Sequence, residues 1–178
     1  SPIIRRVTLR ASFKALVPES IRRAIHRIPE RVARGLRNLR ADLRILRHIR
    51  LGAAPIADLN RFEKRVCSQN GEDGILAAIF AAIGVTDRFC VEFGVEDGRV
   101  CNTGLLRRQG WSGLWMDPAE GGPDWIRREF VTAETVNELF DRYGVPERFD
   151  LLSIDIDGND YWVWKAVAGR RPRVVVVE

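Results

Sequence analysis

Between Arg88 and Glu178 the apolar positions gather into short runs: RFCVEF (88–93), GLWMD (113–117), EFVT (129–132), FDLLSID (149–155) and RVVVVE (173–178). Each is too short for a helix and rich in the β-branched and aromatic residues that suit strands. The stretches between them carry helical spacing, over 100–109, 123–128, 134–143 and 159–168, with Gly110, Gly144 and Gly169 as stops. Another helix is predicted over 72–83, with Asn70 as N-cap, an apolar face of Ile75, Leu76, Ile79, Phe80 and Ile83, and Gly84 as its end. Short apolar strands alternating with helices require crossover connections. The pattern therefore predicts an α/β domain built on a doubly wound parallel sheet, covered on both faces. Ligands of such sheets bind beyond the carboxyl ends of the strands. The positions there are Gly94 to Gly98, Asp117, Thr132 to Glu134, Asp155 to Asp160, and Glu178.

Upstream the period changes. Val32, Leu36, Leu39, Leu43 and Leu46 recur in alternating steps of four and three, with Arg31, Arg34, Arg37, Arg40, Arg44 and Arg47 largely on the other faces. That spacing predicts one amphipathic helix with a narrow apolar seam. Pro18 and Pro29 break the earlier basic stretch, so residues 1–30 read as a short helix plus loops. Residues 1–60 are thus expected to be a basic helical arm and linker, and residues 61–178 a single domain.

Charge sharpens this division. The net +5 hides fourteen Lys and Arg against three acids in residues 1–50, a net +11, and fifteen against twenty-one in residues 51–178, a net −6. Attraction to anions belongs to the arm. Its helix fits three roles: packing on its own domain or a partner subunit, docking of residues 20–50 on an anionic membrane surface, or nucleic-acid binding. The last is disfavoured because Phe13 is the only aromatic before Phe62.

Cys67, Cys90 and Cys101 are odd in number and lack CxxC spacing, which points away from disulfides and zinc and toward a reducing cytoplasm. If the arm meets lipid, the protein would be peripheral at the inner membrane face. No run has the length of a membrane span, and SPIIRRVTLR lacks a signal-peptide core. Ser1 suggests a processed start. The valine run before Glu178 would leave an apolar edge strand, so further chain is expected beyond it.

The loop FCVEFGVEDG (89–98) raises the chemical question. Gly94 and Gly98 lack the GxGxxG spacing, and Glu92, Glu96 and Asp97 surround them. A dinucleotide pyrophosphate needs backbone N–H groups without competing carboxylates. A ligand with a cationic centre fits better, because carboxylates accept from an ammonium and lower the energy of positive charge. S-adenosylmethionine has a sulfonium, an amino group and a nucleoside but no phosphate. Asp117, after the second predicted strand, can take both ribose hydroxyls or can simply make a turn before Pro118. Asp155, Asp157 and Asp160 crowd a strand end. They can contact a cationic cofactor end, serve as a general base, hold a hard metal, or make a turn and cap a helix.

SQNGEDGIL, FCVEFGVEDGRVCNTG, GWSGLWMDP, FDLLSIDIDGNDYWVWKAV and PRVVVVE, in that order, resemble the class I S-adenosylmethionine-dependent methyltransferases, and within them the FkbM-like group. The resemblance covers residues 67–178 and implies a Rossmann-like methyltransferase fold that stops short of its C-terminal strands. It implies that Glu92, Gly94 and Gly98 form the cofactor's first-strand motif and that Asp117 binds its ribose. Gln69 would close over the methionine end, and Glu134 would lie near adenine. Asp155 and Asp157 become candidate catalytic residues. Asp155 with Glu178 resembles the two acids that hold magnesium in some enzymes of the class acting on hydroxyls.

No Pro-Pro-aromatic motif follows the fourth strand, and His26 and His48 both lie in the arm, so base N-methylation is disfavoured and any general base must be Asp, Glu, Tyr or Lys. The expected acceptor is a hydroxyl of a small molecule or glycan. Trp125 is a candidate to stack on adenine, and of Trp162 and Trp164 one is expected on the sheet and the other at a lid or partner. Cys101 is expected to be a packed small residue. Two rivals stand beside this reading. One is a non-catalytic methyltransferase-like module that oligomerises or docks through its Arg-rich helix. The other is a nucleotide-dependent oxidoreductase, which the missing third glycine disfavours.

Overall fold

The computed structural model describes residues 58–178 together with residues 29, 31, 32, 34–40 and 43. The chain divides into two compact units, Ser1–Leu36 and Arg37–Glu178. All elements labelled below belong to the second. The expectations for residues 1–28, for the rest of the arm helix and for most of the linker lie outside the described residues. Residues 31, 32, 34–40 and 43 are helical.

Five strands, β1 (Phe89–Phe93), β2 (Ser112–Asp117), β3 (Ile126–Arg128), β4 (Arg148–Ile154) and β5 (Arg171–Val177), form one sheet in the order β3-β2-β1-β4-β5. Every pairing is parallel. Helix α1 (Glu72–Ile83) precedes β1; α2 (Gly104–Arg108), α3 (Val136–Arg142) and α4 (Asp160–Ala166) are the crossovers after β1, β3 and β4. The chain winds outward from β1 to β3 and then returns to lay β4 on the other side of β1. The strand order therefore reverses between β1 and β4, which makes their carboxyl ends the place where a cleft opens.

Alternation along the strands feeds two cores. Val91, Phe93, Leu114, Met116, Leu152 and Ile154 join Val136, Leu139 and Phe140 of α3 and Val163 of α4. Cys90, Trp115 and Leu151 join Leu76 and Phe80 of α1 and Leu106 of α2 on the opposite face. Each fully buried large side chain contributes about 1.5–3 kcal/mol. The sheet is thus parallel, covered on both faces and Rossmann-like in its order.

The amino ends of the strands are tied by one buried carboxylate. Asp150 accepts the backbone N–H groups of Thr86 (3.0 Å), Asp87 (3.0 Å) and Arg88 (2.9 Å) and the Thr86 hydroxyl (2.8 Å). Arg173 of β5 donates to it at 2.6 Å and also to the carbonyls of Ile83 and Gly84 at the end of α1. Burial by itself would push the Asp150 carboxyl up, but the guanidinium and the ring of donors outweigh it and hold the group below its ordinary value.

The structure overturns the reading of residues 123–132. No helix forms over 123–128; the third strand is Ile126–Arg128 and not 129–132. It is an edge strand whose Arg127 and Arg128 are exposed, so its polarity hid it. In the apolar run that looked like a strand, Phe130 is 71% exposed and only Val131 is buried. Helix α2 begins at Gly104 rather than 100, and the N–H groups of Asn102 and Thr103 just ahead of it are bonded to Glu92. Asn70 does not cap α1. The N-cap is Gly71, at φ +114°, and the Glu72 carboxylate accepts the Asn70 and Gly71 N–H groups. Neither Trp162 nor Trp164 packs on the sheet: both are exposed, and Val163 between them takes the buried position. Among the described residues no helix is long and apolar enough to cross a membrane.

Candidate functional site at the crest of the sheet

The strand ladder runs on into the crest. Gly94 N–H donates to the Met116 carbonyl at 3.0 Å, Asp155 N–H to Phe93 at 3.2 Å, Glu178 N–H to Ile154 at 3.2 Å and Glu129 N–H to Asp117 at 3.3 Å. The residues after β1, β3, β4 and β5 are therefore held at one level, around a cavity of about 830 Å³. Among the described residues its lining includes six acids, Glu96, Asp117, Glu129, Asp155, Asp157 and Glu178, and one cation, Arg65. Gln69, Gly94, Met116, Phe130, Val131 and Asn159 complete much of the wall. The volume is that of an ordinary small-molecule site.

Gly94 is required by its neighbours. It sits at φ +77°, and a Cβ there would overlap the Asp155 carbonyl oxygen, so the glycine lets the ends of β1 and β4 close on each other. Gly98, at φ +74°, lies beneath the Trp125 ring, which a Cβ would strike, and it does not line the cavity. Trp125 is half-buried, edge-on to Trp115 at 5.5 Å and under the Arg107 guanidinium at 3.9 Å. It clamps the β1 loop from outside and is not part of the cavity wall, which removes it as a stacking platform there.

Glu92 is also turned away from the cavity. It is buried, accepts the N–H of Asn102 (2.6 Å) and of Thr103 (2.9 Å), and takes the Thr103 hydroxyl at 2.6 Å, which in turn accepts Trp115 Nε1 at 2.7 Å. Burial raises its carboxyl, against the pull of those donors from Thr103 and Asn102. Its role in this geometry is to fix the loop that leads into α2. Cys101 is buried beside it, and burial, then the nearby Glu92, push the thiol up to about 12. Such a thiol stays protonated and packs as a small apolar group.

Asp117 is buried at the cavity wall. Its two oxygens accept Glu96 N–H (2.7 Å) and Ala119 N–H (2.8 Å). A carboxylate has about four acceptor positions, so about two remain for a ligand. Turn-making and ligand binding coexist in this residue. The Glu96 backbone it holds has φ +48°, a conformation that few side-chain-bearing residues adopt without such a tether.

Asp155 is half-buried and faces Glu178. Burial first, and hydrogen bonding with the Glu178 carboxylate second, push it up to about 7. The loop carrying it is organised by Asp160, which accepts Ile156 N–H at 2.8 Å and Gly158 N–H at 2.9 Å. Asp157, at φ +57°, is exposed at the rim. The proposed magnesium pair, Asp155 and Glu178, supplies two carboxylates, whereas hard cations take about six oxygens or more. Among the described residues no group of three or more His, Cys, Asp or Glu is placed to hold a metal ion.

No family model, curated protein or solved structure matches the chain. The site is therefore read from its own chemistry.

Gln69 reaches the cavity because Asp73 gathers the segment before it. One Asp73 oxygen accepts the N–H groups of Val66, Cys67 and Ser68 and the Ser68 hydroxyl, all within 2.7–2.9 Å. Arg65 and Gln69 flank that knot and both line the cavity. Glu134 does not: it is exposed and lies beyond the true end of the third strand. The acid in that place is Glu129, immediately after β3, which accepts Tyr143 Oη at 2.6 Å and Arg142 Nη1 at 3.1 Å. Glu129 and Phe130 were missed because the strand was misplaced. Arg65 carried no signal at all, since its approach depends on the Asp73 knot.

Proposed function

We propose that this domain binds S-adenosylmethionine at the crest and transfers its methyl group to a hydroxyl of a small molecule or glycan, as the FkbM-like resemblance implies. The observation that carries this reading is the charge of the cavity wall, where the described lining residues set six acidic side chains against one guanidinium at the point where the strand order reverses. A cationic ligand lowers the energy of that wall. A diphosphate raises it. The bound cofactor would supply an electrophilic methyl on a sulfonium. The remaining acceptor positions of Asp117 suit the two ribose hydroxyls, Asp155 and Glu178 suit the ammonium, and Gln69 lines the same cavity. Gly94 acts indirectly, by letting Asp155 close on β1. Asp157, exposed at the rim, is the residue of the catalytic pair that would accept a proton from an incoming hydroxyl. Methyl transfer from a sulfonium is a direct displacement, so alignment can supply much of the rate. The three cysteines are free, which accords with a cytoplasmic setting.

Titration calorimetry of the protein with S-adenosylmethionine, S-adenosylhomocysteine and NAD tests this. Heat with the first two and none with NAD is expected. Asp117→Ala should weaken both by about tenfold to a hundredfold, the loss of hydrogen bonds to a charged acceptor. Unchanged affinity would remove the ribose assignment. The second reading, a non-catalytic docking module, is favoured by one observation: Tyr161, Trp162 and Trp164 stand exposed on α4. Absence of heat with every nucleoside would favour that reading.

A further inference from the structure

The arm carries a second chemistry, independent of methyl transfer. Val32 and Leu36 are 52% and 48% exposed, and Leu39 and Leu43 are 54% and 58% exposed. Their spacing in sequence is that of a single helical stripe. Arg31, Arg34, Arg37 and Arg40 between them are exposed as well. Residues 29–50 hold seven arginines against two acids, Glu30 and Asp42. Apolar side chains left in water mark a contact surface.

Charge decides the occupant. A second copy of the same helix would set arginine against arginine along both flanks of the seam, where coiled coils need opposite signs. Nucleic acid would neutralise the arginines but leave the leucines in water, and it would find no Phe, Tyr or Trp among residues 29–50 to stack on. A lipid surface with anionic headgroups satisfies both halves at once. Acyl chains take the leucines, and headgroups take the guanidinium groups. We propose that the exposed apolar and arginine side chains described within residues 31–43 dock the protein on anionic membrane. The acidic domain, net −6 over residues 51–178, would then be held by the arm alone and repelled by the same surface.

Sedimentation of the whole protein with vesicles of phosphatidylcholine containing about 30% phosphatidylserine, and with phosphatidylcholine alone, tests the proposal. Binding to the anionic vesicles should be at least about tenfold tighter and should fall with added salt. Arg31→Gln, Arg34→Gln and Arg40→Gln together should weaken it by on the order of a hundredfold. Leu36→Ser with Leu39→Ser should weaken it by about tenfold, with the domain's near-ultraviolet circular dichroism unchanged. An arm of the same composition with its leucines scattered serves as a second variant and should bind like the Leu36→Ser, Leu39→Ser protein. Equal binding to neutral vesicles, or a scattered arm that binds as well as the natural one, would overturn the proposal. So would failure to bind anionic vesicles, whether the protein instead self-associates, takes up duplex DNA or captures an acidic protein.

Discussion

Replacing Asp155 with asparagine should make the fold more stable and the cofactor weaker, two effects of opposite sign from one side chain. Burial and the Glu178 carboxylate hold Asp155 at about 7, against an ordinary value of 3.8. A carboxyl raised on folding binds its proton more tightly in the folded chain. Its contribution therefore favours folding at low pH and is lost as the pH climbs from 3.8 through about 7. Taken whole, the shift corresponds to about 4 kcal/mol at about pH 8. The pair stands at an open crest with Glu178 exposed, and solvent screening reduces the figure to about 1–2 kcal/mol. Asparagine carries no charge and can donate to Glu178, so Asp155→Asn should recover that amount at about pH 8 and nothing below about pH 4. Scanning calorimetry across that range should show the variant melting a few degrees higher at the alkaline end and level with wild type at the acid end. The same proteins titrated with S-adenosylmethionine at about pH 7 should differ by about tenfold in affinity, and wild type alone should release up to about half a proton per molecule on binding. A variant that melts below wild type at about pH 8, or a difference that does not change with pH, would show that the two carboxylates do not oppose each other as described.

Two further outcomes concern the frame of the site. Gly94→Ala should cost about 3 kcal/mol or more in urea unfolding, because it combines a left-handed backbone with overlap on the Asp155 carbonyl; a loss under about 1 kcal/mol would mean that the strand ends separate easily. Asp150→Ala should cost about 3–5 kcal/mol by leaving Arg173 and three backbone N–H groups without their acceptor. Asp150 is lowered on folding, so its stabilisation is complete above 3.8 and is lost as the pH falls through the folded value. Acid unfolding should accordingly be flatter in the variant than in wild type.

The central strands were legible because they are buried on both faces: FCVEF, GLWMD and FDLLSI were read to within about a residue or two of their ends. The edge strand β3 was not. Its three residues include two exposed arginines and are defined only by pairing with β2, which no local pattern records. That one displacement moved the acid after strand three from Glu129 to Glu134. Asp117, Asp155, Asp157 and Glu178 could be placed at the cavity from sequence, since each follows or ends a strand that was read correctly. The inward turn of Glu92 could not, because its partners Asn102 and Thr103 were read as a helix start, and the bonds to Glu92 replace that first turn. Gly98 was recognised as special for the wrong neighbour: the space it leaves is filled by Trp125.

The Arg173–Asp150 contact also bears on how such a chain can diversify. One guanidinium secures the amino ends of β4 and β5 and the last turn of α1, all at the floor of the sheet and far along the strands from the ligand-facing loops. Strand register is thus anchored away from the cavity. The opposite rim is left to accept substitutions and insertions without loosening the alignment of the strands beneath it.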